Sequence, residues 1–125
     1  MVRSFAGDRT IEFQTRAKQE YERMKDLWPE CMQGAYYHIW DGLLRYCRTD
    51  TFHVDNPKSK KDKYRDFCNA IDFEEFKESM ENIDFNYEKR FEFRFVKKVI
   101  KKLLLFKNKK LAYYALGACN KRIKF

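Results

Sequence analysis

The chain has 125 residues and a mass of 15.4 kDa, enough for one domain that buries roughly two-thirds of its unfolded surface and too little for two. Charged residues make up 37%, yet 44% are hydrophobic and 18% aromatic, so disorder for want of core material is excluded. Only four glycines and two prolines are present, which argues against an all-β sandwich or a glycine-rich phosphate loop, and the net charge is +8.

The N-terminus, MVRSFAGDRT, has no apolar stretch of the kind a secretory leader carries, and the longest apolar run, 111–119, falls well short of the roughly 20 residues of a membrane span. An intracellular protein is expected, cytoplasmic or, in a eukaryotic host, nuclear. The cysteines at 31, 47, 68 and 119 form no metal-ligand or redox spacing, so neither a metal nor a cofactor is expected. Cys47 and Cys68 read as small buried hydrophobes.

From Asp8, a suitable N-cap, Phe13, Ala17, Tyr21, Met24, Leu27 and Trp28 recur at helical steps, with Glu12/Arg16, Arg16/Glu20 and Lys18/Glu22 on the polar side. Pro29 ends this helix and suits the first position of the next. Residues 31–47 hold the cleanest period, Met32, Ala35, Tyr36, Ile39, Trp40, Leu43, Leu44 and Cys47, and are expected to form the central helix. The segment 48–63 breaks the period, with turn chemistry at Asp55-Asn56-Pro57, and reads as a long basic connection or a short strand and turn. Ser59 and Asp72 each have capping-box spacing and predict two short helices, one over Tyr64, Phe67, Cys68 and Ile71, the other over Phe76, Met80 and Ile83.

In the last third, a projection at about 100° per residue gathers Arg94, Lys97, Lys98, Lys101 and Lys102 on one arc. Phe95, Val96, Val99, Ile100, Leu103, Leu104 and Phe106 fall on the opposite arc. Lys107 and Lys110 break this phase, so a new helix is expected from Asn108, with Gly117 as its C-cap. The alternation Phe91-Glu-Phe93-Arg-Phe95 fits a strand that Thr51 to Val54 and Arg122 to Phe125 could pair with. The expected fold is therefore a single mainly α domain over 1–125, a bundle of five or six short helices, with an α+β fold carrying a small two- or three-stranded element as the alternative.

Charge is segregated along the chain. Segment 72–84 holds six acidic residues and one Lys, whereas 88–125 holds 13 Lys/Arg against two Glu, a net of +11. Such asymmetry steers polyanions, and it makes Arg94, Lys97, Lys98, Lys101, Lys102, Lys107, Lys109 and Lys110 candidate phosphate contacts, with Tyr113 and Tyr114 as stacking partners for bases. The preferred reading is a non-enzymatic accessory factor or inhibitor of viral or phage type, acting on nucleic acid or on a nucleic-acid-handling protein complex. A solvated lysine face and a homo-oligomer held by acid–base pairing between subunits are the competing readings.

Catalytic signals are sparse. His38 lies seven residues after Cys31 without an orienting carboxylate, and it reads as a half-buried structural residue. Arg48-Thr-Asp-Thr-Phe-His53 resembles the short Arg-x4-His motif of HEPN ribonucleases over six residues of the chain. That resemblance implies a helical bundle in which Arg48 orients a phosphate and His53 transfers a proton during metal-independent RNA cleavage. It stands as the enzymatic alternative to the binding reading.

Overall fold

The structure, a computed structural model, describes residues 9–106 and 108–122, with the side chains of 87 and 120–122 left aside. Among the described residues there are six α-helices and no strand: α1 (Thr10–Leu27), α2 (Met32–Tyr46), α3 (Lys60–Ala70), α4 (Glu74–Asn82), α5 (Phe91–Leu105) and α6 (Lys109–Arg122). The mainly α bundle is the fold, and the strand alternative is corrected. Phe91, Phe93 and Phe95 lie in α5, and Thr51 closes a helical turn. A run of five alternating residues is shorter than the helical period that continues through Leu105. Residues 123–125 of the third candidate strand lie outside the described residues.

α2 is the central element, with α1 and α4 packed against it. Its residues Ala35, Ile39, Trp40 and Leu43 have no exposed surface. Trp40 meets Phe85 edge-on at 4.9 Å between ring centres, and Phe13 of α1 stacks on Tyr46 at 5.6 Å. α2 does not stop at Cys47. It runs on as a π turn, Cys47–Thr51, where the period had suggested a break. Thr49 Oγ1 donates to the Arg45 carbonyl at 2.8 Å within this turn.

The turn carries Asp50 inward. Asp50 is buried and accepts the Arg9 backbone N–H at 2.8 Å, while Asn56 Nδ2 donates to its carbonyl at 2.8 Å. α1 has no side-chain cap of its own, so its start is held by a residue 41 positions away; Asp8, the expected cap, lies outside the described residues. Pro29 ends α1 through a 3₁₀ turn, Pro29–Cys31, as expected. Leu27 and Trp28 depart from the expected stripe: both are exposed, because α1 outruns the core that takes Phe13, Ala17 and Tyr21.

Ser59 caps α3 by accepting the Asp62 N–H at 3.2 Å. Asp72 does not cap α4. The cap position falls on Phe73, which is buried, and Glu74 and Glu75 then occupy the first turn, where the helix dipole favours them. α6 starts one residue after Asn108, and Gly117 lies inside it rather than at its end. A Cβ there would stand 3.0 Å from the Phe52 ring, so this glycine admits a neighbour instead of terminating a helix.

Candidate functional site

α5 was expected to bury the centre of its apolar arc. Instead, the buried positions are Lys97, Ile100 and Leu104, a face rolled by roughly 80° toward the basic arc. The cause lies in segment 83–88, which leads into the helix and is laid along it. Lys97 Nζ donates to Glu88 Oε2 at 2.6 Å, Lys98 Nζ to Asn86 Oδ1 at 2.5 Å, and Lys101 Nζ to the Ile83 carbonyl at 2.7 Å. Three lysines of the expected phosphate-binding face therefore tether α5 to its own lead-in segment. Lys97 is only 9% exposed and Lys101 half-buried, so neither presents a free ammonium to solvent.

The roll has a second consequence on the other side of the helix. Phe91, Phe95, Val99 and Phe106 are 70%, 62%, 39% and 78% exposed, and they line one side of α5. Lys98 and Lys102 are exposed beside them, and Arg94 lies with its guanidinium over the Phe91 ring at 5.6 Å. α6, packed against α5, adds exposed Leu111 and Tyr114 and the exposed cation Lys110, while Lys109 is half-buried.

Tyr113 is the clear correction among the stacking candidates. It is 8% exposed and stacked on Phe52 at 5.1 Å, with Tyr64 and Phe67 at 5.2 and 5.4 Å, so it is a core residue and Tyr114 alone of the pair reaches solvent. Burial pushes its phenol up from the ordinary tyrosine range. Lys107 lies outside the described residues. The helical wheel assigns Phe95, Val99 and Phe106 to the core and the strand pattern took Phe91; the excess of apolar residues on α5 over what one buried face can hold is the signal that points to exposed rings.

Arg48 is exposed on the π turn, and His53 is half-buried beyond it. His53 Nδ1 accepts the Asp55 N–H at 3.1 Å, and its backbone N–H donates to the Asp50 carbonyl at 3.2 Å, so part of its hydrogen-bonding capacity is used in shaping the loop. Cys47 is fully buried, and its thiol is pushed well above the ordinary range by burial and by Asp50, which makes it a poor nucleophile. Cys31 is exposed on its 3₁₀ turn, and His38 is exposed rather than half-buried. Among the described residues no group of three His, Cys, Asp or Glu side chains is placed to hold a metal, and no helix is long and apolar enough to cross a membrane.

No protein-family model, curated protein or solved structure matches the chain.

Proposed function

We propose that the protein is a non-enzymatic accessory factor that binds single-stranded nucleic acid along the outer side of the α5–α6 hairpin. The observation that carries this reading is the row of exposed rings Phe91, Phe95 and Phe106 on α5 beside Lys98 and Lys102, with exposed Tyr114 and Lys110 on the neighbouring α6. Single strands are held by this combination: aromatic faces that take unpaired bases, each worth about 1–3 kcal/mol, and cations that follow the phosphates. A duplex offers its bases only through grooves, where a row of phenylalanines has little to read.

The test is fluorescence anisotropy of a labelled single-stranded oligonucleotide, repeated across a range of salt concentrations. Affinity is expected to fall linearly in log salt, with a slope of about −0.7 for each phosphate neutralised. Lys102→Glu with Lys110→Glu replaces two exposed cations, spares Lys97, Lys98 and Lys101, which tether α5, and should flatten the slope by about 1.4 while leaving the fold intact. Phe95→Ala should weaken binding at least about fivefold, the lower end of a lost stacking contact. Unchanged binding in both variants overturns the reading. So does a stable, nuclease-indifferent oligomer that Phe91→Ser with Phe95→Ser dissolves, which would make the row of rings a contact between subunits.

A further inference from the structure

A second feature lies apart from the hairpin. α1 and α2 do not close on each other along their whole length. Toward the π turn they leave a small open cleft of about 50 Å³, which can seat one face of a small molecule without enclosing it. Its floor is apolar, formed by Phe13 and Ala17 of α1 and by Ile39, Gly42 and Tyr46 of α2. Its rim is cationic: Arg9, Arg16 and Arg45 stand there against a single acid, Glu12.

Helical spacing assembles this rim. On α2, His38, Gly42, Arg45 and Thr49 follow each other at steps of four, three and four and share one face. Gly42 lets the Phe13 ring of α1 come in close; a Cβ there would stand 3.3 Å from that ring.

The charges are not balanced within the cleft. Glu12 is shared between Arg9 at 3.4 Å and Arg16 at 3.2 Å, which leaves a net of two positive charges around the opening, and Arg45 is exposed. Guanidinium groups present paired N–H donors at the spacing of a carboxylate, so the acceptor they fit best is a planar acid.

We infer that this cleft binds a small organic carboxylate whose apolar body lies on Phe13, Ile39 and Gly42 and whose acid group meets the arginines at the rim. A bare inorganic anion leaves the floor unused, and a neutral aromatic leaves the guanidinium groups unused. Both parts of the ligand are needed, and the site is independent of the hairpin.

The experiment is calorimetric titration of the full chain with benzoate, with benzyl alcohol as the neutral counterpart and acetate as the acid without a body. Benzoate should bind one to one, with both controls at least about tenfold weaker, a difference of about 1.4 kcal/mol. Arg45→Ala should lower benzoate affinity at least about fivefold, as removal of a charge-assisted hydrogen bond does; Lys102→Glu on the hairpin should leave it unchanged. Gly42→Leu should abolish binding by filling the floor, and where that variant fails to fold the arginine variants carry the test. Equal binding of benzoate and benzyl alcohol overturns the inference by showing an apolar crevice alone. Benzoate affinity unchanged in both Arg45→Ala and Arg16→Ala overturns it as well, as does the absence of saturable binding below about 20 mM, an affinity too weak for a built site.

Discussion

Gly117 is surrounded by helix on both sides, and the edge of Phe52 lies where its Cβ would be. Replacing a mid-helix glycine by alanine normally stabilises by about 0.5–1 kcal/mol, because less backbone entropy is lost on folding. Here Phe52 is stacked on Tyr113 and has little room to retreat, so the overpacking cost of about 1–3 kcal/mol should win. Gly117→Ala is therefore expected to destabilise by about 1 kcal/mol, and in a Phe52→Ala background to stabilise by about 0.5–1 kcal/mol. Urea unfolding of the four proteins in a double-mutant cycle measures both; stabilisation by Gly117→Ala alone would show that the close approach is not limiting. The glycine itself was plain in the sequence, but its partner, 65 positions away, was not.

At the scale of one element, α5 carries two separable predictions. Glu88 accepts Lys97 Nζ at 2.6 Å and the Arg90 N–H at 3.3 Å; the lysine contact is the larger of the two influences that hold its carboxyl below the ordinary glutamate range, against the opposing effect of partial burial. With a lower pKa in the folded state, the unfolded chain takes up the proton first as pH falls. The contribution is therefore complete above the ordinary glutamate range, near pH 4.3 and higher, and is lost as pH drops through the depressed folded value. Urea midpoints of the protein and of Glu88→Gln should differ at about pH 7 and converge as pH falls below the ordinary glutamate range; a constant gap would mean that the pair does not titrate with folding. The second prediction concerns the row of exposed rings. Phe91→Ser and Phe95→Ser should each change stability by no more than about 0.5–1 kcal/mol, the range of surface substitutions, whereas core phenylalanines cost about 3–5 on truncation. Thermal unfolding separates the two, and a core-sized loss would return these rings to the interior, as the amphipathic pattern alone implies.

For the molecule as a whole, α2 is the element on which the others depend. α1 and α4 pack against it and the π turn prolongs it, and Trp40 sits at its centre with no exposed surface and, among the described residues, with no partner for its indole N–H. Trp40→Ala should cost about 3–5 kcal/mol, a large fraction of the roughly 5–15 kcal/mol that stabilises a domain, and Trp40→Phe distinctly less, because it keeps much of the ring volume while removing an unsatisfied donor. Chemical denaturation measures both. Equal losses would show that the N–H is satisfied or that the indole shape itself is indispensable. This centrality was legible in advance, because the eight apolar positions of 31–47 keep the helical period without a break.

Local rules acted where local physics is sufficient. The helical class, the start of α2 after Pro29, the Ser59 cap and the start of α6 near Asn108 all depend on residues within a few positions of one another, so composition and period determined them. The segregation of charge along the chain was equally plain. Which way α5 faces was decided only in three dimensions. Its wheel carries more apolar residues than one buried face can hold and more lysines than one exposed face requires, so the balance fell to the neighbours: segment 83–88 took Lys97, Lys98 and Lys101 by hydrogen bonds and turned Phe91, Phe95 and Phe106 outward. The α1–α2 cleft is of the same kind. Its arginines are spread over 37 positions of sequence, and only the packing of two helices at Gly42 and Phe13 gathers them around one opening. Period and propensity act within a helix, whereas roll, burial of a particular lysine and the lining of a cleft are properties of contacts between helices, and these belong to no single stretch of the chain.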